Sequence, residues 1–157
     1  MRIGLLEHAW AAADLRPAVG WKVWRVEQEA DSTRLRSVLY GDVWPLDEPV
    51  HAACHRMLRS SHEAPSPGCE CGIHAGRTLE AWDHYLAVDT ESRVFGRVLL
   101  WGSVLEGAQG WRAAFARPVE IFVPGSVTDG AAVADGLRAY GVPVHLLEVA
   151  VEELVSR

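Results

Sequence analysis

Apolar and polar positions alternate or cluster along this chain in a way that marks strands before it marks helices. From Trp21 to Val26, aromatic and β-branched residues fall on both parities, the pattern of a strand covered on both sides. Ala30-Asp31-Ser32 is a turn sequence. Beyond it Leu35, Ser37, Leu39 and Val43 share one parity while Arg36, Val38, Tyr40 and Trp44 share the other, so a second strand follows and stops at Trp44-Pro45. These two are expected to pair as an antiparallel hairpin. The strongest strand signal is Val94 to Glu106, apolar on both parities and punctuated by Gly96 and Gly102. Glycines in so long a strand mark a bulge, a bend or a close backbone approach, as in a strongly coiled sheet or small barrel. Gly107-Ala108-Gln109-Gly110 turns the chain back, and Trp111 to Val123 returns as the partner strand.

Helical patterns are shorter. The alanine-rich Leu5 to Ala13 predicts a helix that ends before Pro17, and Val50 to Arg59 predicts one that carries Cys54 and His55. Gly76 to Leu86 places Leu79, Trp82 and Leu86 on one face. Thr128 or Asp129 can cap a helix running to Tyr140, with Val133 and Leu137 inward and Gly141 as terminator, and a last helix spans Glu148 to Val155. Glu63 to Gly72, with two prolines and two glycines, is irregular. The expected fold class is α+β: a coiled antiparallel sheet or small barrel built from two hairpins, with an inserted zinc loop and a C-terminal helical tail. One domain is expected over residues 1–157, with an N-terminal helical segment at 1–20, the metal-loop insertion at 50–76 and the helical tail at 126–157.

Composition narrows the function classes. Hydrophobic residues make up 49% and charged residues 23% of the 157, which is ordinary globular usage and argues against disorder. The early charge and histidine of Met1 to His8 do not fit a secretory signal, and no apolar run reaches membrane-span length, so a cytoplasmic protein is expected. A net charge of -6 disfavours nucleic acid as a partner and leaves a protein or a small-molecule ligand.

Candidate chemistry concentrates between Cys54 and His74, a window that holds all three cysteines and three of the seven histidines. Zinc takes four donors of the Cys/His type, and Cys54, His62, Cys69 and Cys71 supply one complete set, with gaps of seven, six and one residues. His51, His55 and His74 compete with His62 for the fourth place. Cys69-Glu70-Cys71 is too tight to bridge comfortably, and an odd cysteine count does not suit a disulfide framework. The plain rival is that Cys54 is a small buried hydrophobe and the other two are loop thiols. A zinc-dependent deaminase pattern fails twice: His62-Glu63 are adjacent where that pattern separates them, and the Cys-x-Cys is one residue short. Of the seven tryptophans most belong in the core, while Trp24 and Trp101 are candidates to line a ligand pocket.

Several stretches together resemble a family of small actinobacterial proteins that has no established activity. They are Trp24-Arg25, Trp44-Pro45, Ala53-Cys54, His62-Glu63-Ala64-Pro65, Gly68-Cys69-Glu70-Cys71-Gly72-Ile73-His74-Ala75, Gly96-Arg97-Val98-Leu99-Leu100-Trp101-Gly102, Gly110-Trp111-Arg112-Ala113 and Tyr140-Gly141-Val142-Pro143-Val144. The resemblance implies an architecture and a metal loop, not a reaction. His74 stands where that family carries an aromatic such as tyrosine, which makes it less suited to be an obligatory ligand. Arg112, at a hairpin start, can reach a carboxylate or a carbonyl; alternatively its stem packs over the sheet and it pairs with Glu106.

The expected function is a zinc-stabilised binding or accessory module with structural zinc, its ligand face near Trp101 and Arg112. Two alternatives stand beside it. One is a small zinc metalloenzyme with an open coordination position, in which Glu63 or His74 moves protons; the other is a redox sensor using Cys69 and Cys71.

Overall fold

The computed structural model describes residues 11–12, 17–54 and 62–155. Among the described residues eight strands form one sheet: β1 (Ala11–Ala12), β2 (Ala18–Glu29), β3 (Ser32–Ser37), β4 (Val50–His51), β5 (Ile73–Gly76), β6 (Arg93–Glu106), β7 (Gly110–Val123) and β8 (Val144–Leu146). Strand β6 pairs antiparallel with β2 and with β7, β2 also pairs with β5, and β5 pairs with β7. Hydrogen bonds therefore run in a closed ring through β2, β6, β7 and β5, and the small-barrel expectation holds. The protein is mostly sheet, so α+β describes it only in part.

Both predicted hairpins form. Ala30 and Asp31 turn β2 into β3, and Thr33, Leu35 and Ser37 face inward on the expected parity. The second strand stops at Ser37 rather than Trp44, because Tyr40 and Gly41 take left-handed conformations and reverse the chain. Val43 then bridges back to Arg36, and the Trp44 N–H reaches Leu35 O at 2.8 Å. In the β6–β7 pair, register shifts fall between Arg97 and Val98 and between Trp101 and Val104, the second at Gly102 with φ 82°. At Gly96 a Cβ would stand 2.0 Å from Glu120 O, so the two backbones approach as only glycine allows.

The helices differ more from expectation. Leu5 to Trp10 and Ala13 lie outside the described residues, while Ala11–Ala12 is a strand against Leu105 and Glu106. Val50–His51 is a strand on Ala116 and Phe115, residues 52–54 are not helical, and 55–59 lie outside the described residues. Gly76 to Leu86 resolves into a strand end, a 3-10 turn over Leu79–Trp82 and the single turn α1 (Asp83–Leu86), with Trp82 and Leu86 inward. The helix α2 (Gly130–Leu137) buries Val133 and Leu137 and ends through a 3-10 turn at left-handed Gly141. Asp129 precedes it in a left-handed conformation and makes no side-chain cap bond, contrary to the expected capping role. The tail adds an unexpected parallel strand, β8 on β7, before α3 (Val151–Val155), which starts three residues later than predicted.

The larger core lies inside the ring and beneath α2, around Trp24, Leu35, Trp44, Leu100, Ile121 and Leu137. Trp24 meets Trp44 edge-on with centroids 5.3 Å apart. Tyr140 ties α2's tail to this core: its hydroxyl accepts from Leu35 N–H at 2.8 Å and donates to Trp44 O at 2.7 Å. A second cluster, Val23, Trp82, Leu86, Phe95 and Val151, seats α1 and α3 on the outer face of β2 and β6. Among the described residues no helix is long and apolar enough to cross a membrane.

Candidate metal centre

Strand β7 brings the cysteine-bearing segments together. Its residues 115 and 116 pair with β4, and Ala52 N–H continues that ladder onto Ala114 O at 2.8 Å, so Cys54 emerges two residues further on. Residues 110–113 of the same strand pair with β5, where Ile73 faces Ala113, so Cys71 lies two residues before that point. The 62–72 loop closes the gap. Cys69 N–H binds Ser66 O at 3.1 Å, and Gly72 turns the chain into β5 with φ 115°. A Cβ at Gly72 would stand 2.9 Å from Pro65 Cβ and 3.2 Å from Arg112 Cβ, so both the dihedral and the space favour glycine.

The donor atoms of Cys54, His62, Cys69 and Cys71 all lie within 4.8 Å of one another, close enough to bind one metal ion. Cys54 Sγ is 3.7 Å from Cys69 Sγ, and Cys71 Sγ is 3.4 Å from His62 Nε2. None of the three cysteines is in a disulfide; Cys71 is buried, Cys54 and Cys69 are partly covered, and His62 faces solvent. Burial pushes the Cys71 thiol up to about 11, and the sulfurs of Cys69 and Cys54 add to that shift against an opposing Ser66 backbone contact. A thiolate here thus calls for a cation beside it, as a metal ion would be.

Beneath the loop sits a set of buried polar side chains that sequence reasoning largely missed. Arg112 has no exposed surface, and one of its terminal nitrogens donates to Cys69 O and, at 2.8 Å, to Cys71 O. His74, across the β5–β7 ladder from it, donates from Nδ1 to Gly72 O at 3.2 Å. Burial holds the His74 imidazole down to about 3, helped by the charges of Lys22 and Arg112, so it is neutral at physiological pH. Lys22 donates to His74 O at 2.8 Å and lies over the rings of Trp82 and Trp44, at 4.9 and 5.7 Å from their centroids. Burial lowers its ammonium to about 7, against the pull of Asp42. The signal for Lys22 was present: a lysine between Trp21 and Trp24, in a strand covered on both sides, has nowhere to go but inward.

The other candidates scatter. His51 is exposed and stacks on Phe115 at 4.4 Å, away from the cluster, and His55 lies outside the described residues. Trp24 has no exposed surface, and Trp101 stacks on Phe115 at 5.9 Å on the outer face. Because Arg112 is also fully buried, Trp24, Trp101 and Arg112 do not line one ligand surface. Glu106 pairs with Arg77, not with Arg112 as the alternative had it. Arg112 instead takes the carbonyl role.

Fold and site together define a closed, sheet-rich protein with a four-donor cluster of three cysteines and one histidine. Comparison with protein-family models, with curated proteins and with solved structures gives no match.

Proposed function

We propose that Cys54, His62, Cys69 and Cys71 bind one zinc ion and that this zinc is structural, clasping the 62–72 loop to β4 and β5 in a binding or accessory module. One observation carries the reading. Two sulfurs bound at about 2.3 Å to the same tetrahedral ion stand about 3.8 Å apart, and a sulfur and an imidazole nitrogen about 3.5 Å apart. Cys54 and Cys69 show 3.7 Å, and Cys71 and His62 show 3.4 Å. Three thiolates and an imidazole select a borderline-soft ion such as zinc over calcium or magnesium. Four side-chain donors also fill the tetrahedron, which leaves no place for an activated water and favours a clasp over a catalyst.

The test is the metal content of protein purified without chelator, read beside thiol labelling. About one zinc per chain and cysteines that react only after chelation support the clasp. Metal-free protein with rapidly labelled cysteines overturns it and leaves the thiol-sensor reading.

A further inference from the structure

Resting on the zinc reading, the structure carries one step more, and it concerns Arg112. A zinc held by three thiolates and a neutral imidazole has a net charge of about -1. Cys71 is buried and Cys54 and Cys69 are partly covered, and negative charge on that inner side is costly unless an opposite charge and hydrogen bonds accompany it. The buried polar and charged residues of the described chain are Lys22, Thr33, Ser37, His74, Arg93 and Arg112, with no carboxylate among them. Of the cationic ones, Arg112 alone bonds the loop, through the carbonyls of two of the four proposed ligand residues. Burial lowers the Arg112 guanidinium from its ordinary value, and nearby Cys71 and Cys69 oppose that shift.

We infer that Arg112 is the charge-balancing and positioning residue of the metal centre: its fixed positive charge offsets the three-thiolate zinc, and its hydrogen bonds to Cys69 O and Cys71 O set the Cys-x-Cys turn that aims both sulfurs at the ion. This couples two sequence features that lie 41 residues apart at Cys71 and Arg112. It also explains why an arginine, which stays charged when buried, occupies the strand position beside Cys71's turn. The centre is thereby matched to a divalent ion, since a monovalent ion in the same ligand set would leave a second negative charge unbalanced.

The experiment separates charge from hydrogen bonding. Zinc affinity is measured by competition with a chromophoric chelator on the full chain, at one pH and salt concentration, for wild type, Arg112→Lys, Arg112→Gln and Glu70→Gln. Beside the net-negative zinc centre a lysine is held protonated, so in the metal-bound protein Arg112→Lys keeps the charge, whereas Arg112→Gln keeps only an N–H donor. Loss of a residue that supports a ligand weakens binding about 10- to 100-fold, and that loss is expected for Arg112→Gln, with Arg112→Lys close to wild type. Glu70→Gln is expected to stay within about twofold. With cobalt(II) in place of zinc, the thiolate-to-metal charge-transfer band moves to lower energy in Arg112→Gln, because the sulfurs lose a stabilising positive potential, and Arg112→Lys restores it. If Arg112→Gln does not fold without metal, the zinc concentration at its refolding midpoint gives the same ranking; failure to refold at any zinc level overturns the inference, since the residue then serves the fold itself. Equal affinities and spectra for Arg112→Gln and Arg112→Lys overturn it too, as does a loss in Glu70→Gln as large as that in Arg112→Gln. Wild-type protein that binds neither zinc nor cobalt contradicts the zinc reading, and the inference falls with it; wild-type binding with no Arg112 effect removes the inference alone.

Discussion

The ring of strands and the cysteine loop hold themselves together by different means. In the ring, β6 and β7 run side by side for fourteen residues each, with their neighbours bonded along both edges and Trp24, Leu100 and Ile121 fully covered. The loop from His62 to Gly72 has no strand or helix, and several of its residues face solvent. Ala64 and Cys71 reach the core, and its polar fixed points include the Ser66–Cys69 backbone bond, the Gly72 carbonyl on His74, the two carbonyls on Arg112 and the meeting of four donor atoms. Burial and backbone ladders suffice for the first region, whereas the second depends on a few polar contacts that an ion would bind into one unit.

Substitutions can break each side of that contrast separately. The largest effect is expected from Trp24→Ala, which empties the ring at its centre and should cost about 3–5 kcal/mol in denaturant unfolding. A loss under about 1 kcal/mol would show that the ring is not the main source of stability. Cys71→Ser attacks the loop instead and should lower Tm by roughly 10 °C in metal-loaded protein. After chelation the variant and wild type should melt together; a persisting gap would assign Cys71 a packing role unrelated to metal.

Two buried titratable groups sharpen the comparison through pH. Neutral His74, with its value held near 3 against 6.5 in the unfolded chain, lets the unfolded chain bind more protons between those values. Stability from this group is therefore full above about 6.5 and declines as pH falls toward 3, by on the order of a few kcal/mol. In chelated protein, His74→Phe should flatten that part of the stability profile, and an unchanged slope would count against the burial. Lys22 works in another window: lowered to about 7 from 10.5, it makes the unfolded chain the better proton binder between those values, so stability rises with pH across them. Lys22→Met should remove this rise; a rise that persists would trace it to another group. The smallest effect is expected at Tyr140→Phe, which strips the shared partner of Leu35 N–H and Trp44 O and should cost about 1–2 kcal/mol by urea titration.

The strands were legible because runs rich in β-branched and aromatic residues, bounded by turn residues, leave little choice. Ala30-Asp31 and the Gly107–Gly110 turn fix both hairpins, and Gly96 and Gly102 signal the close approach and the bulge. Ring closure through β5 was not legible, since Ile73-His74-Ala75-Gly76 is four residues with no alternation, and its pairing is decided by what lies on either side. The same holds for β4 and β8, whose two and three residues become strands only because β7 offers them an edge. That is also why the helix pattern misled over residues 50–54: apolar spacing over a short stretch is outweighed by backbone pairing. At the site, residue type and clustering singled out the cysteines and His62, and the structure places them together. The inward Arg112 depends on a contact 41 residues away, which spacing alone does not carry.

The central claim is that the loop is clasped by zinc in a closed site of three sulfurs and one nitrogen. X-ray absorption at the zinc edge of the purified full chain tests it most directly. The account predicts a first shell of three sulfurs at about 2.3 Å and one nitrogen at about 2.0–2.1 Å. A shell with two or fewer sulfurs, an added water oxygen, or no zinc signal in the protein would contradict it.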